Sequence, residues 1–195
     1  MRNNAKFNRE HAIDKARDLY WKKGFHGTSM RHLQEVMDMR PGSIYTAFGS
    51  KENLFEAALA SYTHAGIAQL AQLRKVHTSP IEALKAFMTL MIIERKACAP
   101  SPLCMLAKTV AELTDEHSTL LEAAKNALTT MEHEFEKLLI EAQDMGLLGV
   151  DKNPTQLARQ IQIQITGMRT YSITCNDNAL LAAMIDDLFT HYPFD

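Results

Sequence analysis

One stretch constrains this chain more than any other: Thr28 to Lys51, TSMRHLQEVMDMRPGSIYTAFGSK. Thr28 is expected to cap a short helix on which Met30, Leu33, Val36 and Met37 recur at spacings of three and four, an apolar stripe along one face. Asp38-Met39-Arg40 has the length of the turn in a helix-turn-helix. Pro41 stands near the first position of a second short helix, where its missing N–H is not needed. A unit of this kind can lay its second helix in the major groove of DNA.

The flanking sequence supplies the rest of a compact head. A helix is predicted from Asn8, as cap, to Lys23, with Ala12, Ile13, Ala16, Leu19 and Tyr20 buried and Gly24 as its stop. Phe25, Leu33, Val36, Ile44 and Phe48 are the expected head core. Ser50 caps a longer helix through Leu54, Phe55, Ala58, Leu59 and Tyr62 that links head to body. Pro80 starts the next helix, ending near Cys98-Ala99-Pro100, and Ser101-Pro102 starts another that runs to about Leu113. Thr114 or Asp115 caps a long helix to Gly146, Asn153-Pro154 opens one through Leu157, Ile161, Ile165 and Met168, and Asp177 opens the last. Ile161 to Thr166 alternates like a strand, but its flanks are helical and it has no partner strand, so it is read as helix. The expectation is an all-α chain of about nine helices, a helix-turn-helix head over 1–50 and a larger body over 51–195.

Charge supports a division of labour. The whole chain carries a net charge of −2, but Met1 to Lys51 holds ten Lys and Arg against five Asp and Glu, and the remainder holds eleven against eighteen. A basic head on an acidic body is what a protein needs if only the head meets phosphate. At 195 residues, 46% hydrophobic and 23% charged, the composition is ordinary for a globular protein. No apolar run approaches the roughly 20 residues of a membrane span, and no signal-peptide pattern opens the chain. Three cysteines do not make a disulfide framework, so a reducing, cytoplasmic setting is expected.

Taken in order, Gly24-Phe25, then Gly27-Thr28-Ser29-Met30-Arg31, then Gly42-Ser43-Ile44-Tyr45-Thr46-Ala47-Phe48-Gly49-Ser50-Lys51-Glu52-Asn53-Leu54-Phe55 resemble the DNA-binding head of the TetR family of transcriptional regulators. The body is similar in length and helical layout only. The resemblance implies a homodimer, paired through the last two helices, that binds a palindromic double-stranded operator and is released by a small-molecule effector held in the body. It places Thr28, Tyr45 and Lys51 against backbone phosphate, which would position the protein without reading sequence. Arg40, Ser43 and Thr46 are the candidate base readers, with Arg40 able to fork onto guanine. Pro41 and Gly42 would permit close backbone approach. Arg31 and the N-terminal Arg2, Lys6 and Arg9 are further candidates for backbone or minor-groove contacts, or a solvated surface. Two positions depart from the family's pattern: Asp38 stands where glycine is common in the turn, and Thr46 replaces a frequent histidine.

For the effector, the middle helices offer Phe87, Met88, Met91, Cys104, Met105, Phe135, Gln162, Met168 and Tyr171, although such apolar stripes are equally the material of a plain core. Cys104 has a second reading. With Ser101 as cap and Pro102 first in the helix, it would sit in the first turn with Lys108 on the same face, an environment that favours thiolate. The stretch from Leu103 to Leu113 is similar to a cysteine-bearing helix in a branch of the family, some members of which sense oxidants or electrophiles. Cys104 as a sensor, with Cys98 as a resolving partner, therefore stands beside the reading of a small buried thiol.

No catalytic constellation is visible. The histidines show no metal-ligand spacing, no phosphate loop or nucleophile elbow occurs, and no cofactor is implied. Glu132, Glu134 and Glu136 are expected to form a solvated helix face. The sequence thus points to a regulator rather than an enzyme, a repressor first. The rival is a helical ligand carrier or enzyme with a vestigial head.

Overall fold

The computed structural model describes residues 8–191 and Phe194, so Arg2 and Lys6 lie outside the described residues. The first three helices are α1 (Arg9–Lys23), α2 (Met30–Met37) and α3 (Pro41–Phe48). Asn8 caps α1 by accepting from the His11 N–H, and Gly24 ends it at φ 79°, a conformation that glycine adopts without a Cβ penalty. Asp38 takes the left-handed turn position at φ 52° and ψ 47°, where glycine would be usual.

The cap of α2 is Ser29, not Thr28. The Ser29 hydroxyl accepts from the His32 N–H and the His32 ring accepts from the Ser29 N–H, each at 3.2 Å, a reciprocal capping box. Thr28 is consumed one step earlier. Its N–H bonds the Phe25 carbonyl, and its buried hydroxyl donates to the Gly24 carbonyl at 2.7 Å, closing the turn after α1.

The body continues with α4 (Lys51–Val76), α5 (Pro80–Ile92), α6 (Met105–Glu112), α7 (Ser118–Asp144), α8 (Pro154–Tyr171) and α9 (Asn178–Thr190). Short 3-10 turns at Glu94–Ala97 and Asp115–His117 precede α6 and α7. No strand occurs among the described residues, and the alternating Ile161 to Thr166 lies within α8. Ser50, Ser79, Asn153 and Asp177 each cap their helix through the side chain.

Three boundaries differ from expectation: α5 ends at Ile92 rather than near Cys98, α7 begins at Ser118 behind a 3-10 turn rather than at a Thr114 or Asp115 cap, and α6 starts late. The helix predicted from Pro102 begins at Met105, with Cys104 as its N-cap. Ser101 turns its hydroxyl to the Leu103 N–H two residues on, and the Pro102 and Leu103 carbonyls point to Arg169 instead of opening a helix.

Two apolar cores lie among the described residues. One joins α1 to α3 with the start of α4, α6 and the first turns of α7, and includes Tyr20, Trp21, Phe25, Leu33, Ile44, Phe48 and Phe55. The other lies among α5, α7, α8 and α9 around Phe87, Phe135, Ile161 and Ile185. Within the head, Leu19 and Val36 are only partly buried, while Trp21 belongs to the core. The first core runs across residues 50 and 51, and α4 enters both, with Leu54 to Leu59 in one and Leu70 in the other. The head is therefore packed onto the body rather than tethered to it.

Candidate nucleic-acid interface and effector cavity

The two faces of α3 differ sharply. Ile44 and Phe48 point into the head core, whereas Arg40, Pro41, Gly42, Ser43, Tyr45 and Thr46 are all exposed. Arg40 sits at the N-cap and makes no ion pair among the described residues. Tyr45 is 50% exposed. The Thr46 hydroxyl donates to the Gly42 carbonyl at 2.7 Å, so it offers a methyl group and an acceptor outward. A Cβ on Gly42 would meet nothing within 4 Å. The protein's own packing therefore does not require glycine there, and the bare backbone leaves a low point beside Arg40.

Two expected phosphate anchors lie elsewhere. Thr28 is sealed in the head, and the exposed hydroxyl at the start of α2 is that of Ser29. The Lys51 ammonium is drawn inward. It donates to the Phe25 carbonyl at 2.8 Å and stands 4.1 Å from the centre of the Phe25 ring. Burial lowers its pKa, and the carboxylates of Glu52 and Glu112 act in the opposite direction. Arg31 pairs with Glu35 at 3.1 Å on the open surface, and Arg9 stacks 5.2 Å above the Phe48 ring.

Helix α6 grips the head from the body side. Lys108 donates to the Trp21 and Lys22 carbonyls at 3.2 and 2.9 Å, satisfying the C-terminal end of α1. One turn on, the Glu112 carboxylate accepts from the Phe25 and His26 N–H groups at 3.2 and 2.8 Å. A Cβ at Gly24 would run into that carboxylate, so the glycine serves both the chain reversal and this approach. Lys108 is thus spent on α1 and is not the partner of Cys104.

Between α6 and the middle of the body lies a cavity of about 180 Å³. Its apolar wall includes Phe87, Met91, Leu106, Leu128, Met131, Phe135 and Ile165, and Cys104 and Gln162 also line it. Of the predicted effector residues, Phe87, Met91, Cys104, Phe135 and Gln162 are therefore brought together. Met88, Met105 and Met168 are buried core outside the lining, and Tyr171 is 46% exposed on the surface. Of the polar residues of the wall, Arg17, Tyr62, Thr63, Arg95 and Arg169 have no place among the sequence-based candidates. A signal for Arg169 existed: it extends the buried row Ile161, Ile165 by four more residues, and a cation on such a row is anomalous.

Arg169 is 4% exposed and organises one end of the cavity. Its Nε, Nη1 and Nη2 donate to the Pro102 carbonyl, the Tyr62 hydroxyl and the Leu103 carbonyl at 2.8, 3.1 and 3.0 Å. The Trp21 indole donates to the same Leu103 carbonyl at 2.6 Å. The Tyr62 hydroxyl donates to Cys104 Sγ at 3.7 Å. Burial above all, with Cys104 adding to it, pushes the Tyr62 phenol above its usual range, so it stays neutral; Arg169 acts the other way. Cys104 is 8% exposed, and the exposed Cys98 lies outside the lining, near the Arg95 carbonyl. The Glu132, Glu134 and Glu136 run is not simply solvated: Glu132 faces Arg159 at 3.9 Å and Glu136 accepts from Thr155, both on α8.

Comparison with known proteins matches residues 12–58 to the model for bacterial regulatory proteins of the tetR family and residues 80–188 to the tetracyclin repressor-like C-terminal domain. The transcriptional repressor ComR of Escherichia coli K12 is 24% identical over 180 residues, 92% of this chain and 84% of that one. A cysteine mutant of the TetR-family regulator CifR, solved with 26-base-pair operator DNA, superposes with a TM-score of 0.86 at 24% identity, covering 98% of this chain and all of that one. The reduced form of Escherichia coli NemR gives 0.81 at 18% identity, covering 93% and 96%. No helix of the described residues is long and apolar enough to cross a membrane.

Proposed function

Since the chain belongs to the tetR family of bacterial regulatory proteins, we propose that it is a cytoplasmic, DNA-binding transcriptional repressor that grips a palindromic operator as a homodimer. The observation that carries this is the outer face of α3. Arg40, Ser43, Tyr45 and Thr46 are presented together to solvent on the one basic region of an acidic chain. Arg40 and Ser43 are placed to read base edges from the N-terminal end of the helix, and Tyr45 and the Ser29 end of α2 to meet phosphate. Gly42 allows the DNA backbone close to the helix start. Ile163 and Tyr171 on α8, 67% and 46% exposed, with Leu180 and Met184 on α9, support pairing of the last two helices across the dimer. Two heads would then lie about one helical turn of DNA, roughly 34 Å, apart.

The cavity is the effector site in this reading. Its wall takes Cys104 and Leu106 from α6, and the same helix holds the head through Lys108 and Glu112. A ligand that favours a different seat for α6 shifts the grip on the α1–α2 turn, and with it the separation of the two heads. Footprinting on the DNA upstream of the protein's own gene tests the proposal. A two-fold symmetric protected site bound by a dimer is expected; a folded dimer that protects nothing there or at neighbouring promoters would remove the repressor reading.

A thiol trigger at Cys104 is the second reading, favoured by the place of its sulfur in the cavity wall beside Tyr62. If the thiol is the trigger, Cys104→Ser abolishes electrophile-induced release from DNA; unchanged release eliminates it.

A further inference from the structure

The charge of the cavity is one-sided. Its lining, among the described residues, includes Arg17, Arg95 and Arg169, and no aspartate or glutamate. Arg17 is already paired with Asp14 and Asp18, each at 2.9 Å. Arg95 donates to the neutral Gln69 amide at 3.3 Å and makes no ion pair among the described residues. Arg169 is the extreme case. It is buried, and each of its three nitrogens meets only a neutral acceptor, two carbonyls and a phenol that burial keeps protonated. A guanidinium has five N–H donors, so two remain uncommitted. The Trp21 ring, 5.8 Å away, offers a quadrupole but no counter-charge. A buried cation without an anion is an unfavourable arrangement that a bound anion would relieve.

We infer that the cavity binds a small organic anion, a carboxylate carried on an apolar ring or short chain, with Arg169 as its counter-charge and Arg95 flanking it. This rests on the reading of the cavity as the effector site and names the chemical class that site takes. Phe87, Met91, Leu128, Met131 and Phe135 give the wall a continuous apolar side that suits an apolar body, with Thr63 and Gln162 the neutral polar residues beside it. At about 180 Å³ the space is close to the roughly 150 Å³ known to take a single benzene ring. The occupant is therefore of one-ring or short-chain size. A planar carboxylate can take both free N–H groups of a guanidinium together, which a neutral amide or alcohol cannot match.

Calorimetric titration of the full-length dimer with benzoate, benzamide and benzylamine tests the inference. Benzoate is expected to bind at least tenfold more tightly than benzamide, and benzylamine not at all. Arg95→Gln, at a half-buried position, is expected to weaken benzoate severalfold while the helical circular dichroism is unchanged. Arg169→Lys keeps the charge but loses the fork, and is expected to lose most of the preference for benzoate over benzamide. Equal binding of benzoate and benzamide, or no benzoate heat at millimolar concentration, overturns the inference. A gel shift on the same samples separates the two levels. Absent benzoate binding with operator binding intact overturns the anion class alone. Benzoate binding that leaves operator affinity unchanged supports the anion site and removes its role as effector site.

Discussion

Arg40 and Arg169 both lack a carboxylate partner among the described residues, yet they stand in opposite settings. Arg40 is exposed at the start of α3, where water solvates the charge at no cost to the fold. Arg169, on α8, is buried against α4 and the Pro102–Leu103 turn that precedes α6, where neutral acceptors hold it. The difference separates two kinds of readiness. The outer arginine can be removed without harm to the protein, because its role is toward something that arrives. The inner one is woven into the backbone of the Pro102–Leu103 turn, so its place in the fold and its place in the cavity are the same.

The contrast can be broken by substitution. Arg169→Ala strands the Pro102 carbonyl, leaves the Leu103 carbonyl to Trp21 alone and removes the donor to the Tyr62 hydroxyl, and is expected to destabilise the fold by about 3 kcal/mol in urea unfolding. Arg40→Ala is expected to leave that unfolding curve in place and to weaken operator binding by about 1–3 kcal/mol, measured by fluorescence anisotropy. If the two swapped effects, the assignment of inner and outer arginine would be wrong.

Glu112→Gln sharpens the comparison at the junction between the regions. The amide retains one acceptor and turns an N–H toward the head's own N–H groups, so a loss of about 1 kcal/mol is expected in thermal unfolding. Gly42→Ala is expected to raise stability by somewhat under about 1 kcal/mol, because the site is a helix position with open space around it, while operator affinity falls. A stability loss there would mean the glycine serves the fold.

The smallest effect belongs to the Arg74–Glu141 pair, a two-nitrogen grip with its shortest distance at 2.5 Å. The hydrogen bonds from Arg74 hold the Glu141 carboxyl below its usual range. A carboxyl lowered in the folded state stabilises fully above the ordinary carboxyl range, and that contribution is lost as pH falls through the lowered value. Glu141→Gln should therefore lower the melting temperature slightly at neutral pH and not at all in strong acid, seen as converging pH profiles.

Most of the helical frame was legible because its signals are local. Asn8, Ser50, Asn153 and Asp177 cap the helices they were expected to cap, and Pro41, Pro80 and Pro154 stand at helix starts. Departures arose where a turn or tertiary contact, near or far in sequence, decided a local choice. Thr28 and Ser29 are adjacent hydroxyls of similar capping strength, and the reach of Thr28 to Gly24 assigned the cap to Ser29. Pro102 and Leu103 lost their helix to Arg169, and Lys51 turned to the Phe25 carbonyl. The apolar half of the cavity followed from periodicity. Its charged half did not, because the partners of Arg169 lie 66, 67 and 107 residues away in sequence. The grip of Glu112 on the head, across 86 and 87 residues, has no local signature either.

The most direct test of the central claim is the affinity of the folded dimer for the DNA upstream of its own gene, titrated against salt. The account predicts tight binding that exceeds binding to unrelated DNA and falls linearly in log affinity against log salt, as release of counterions from phosphates requires. It also predicts that Arg40→Ala removes the preference between the two DNAs while keeping most of the salt slope. Equal affinity of the wild-type protein for both DNAs, or no salt-dependent binding at all, would contradict it.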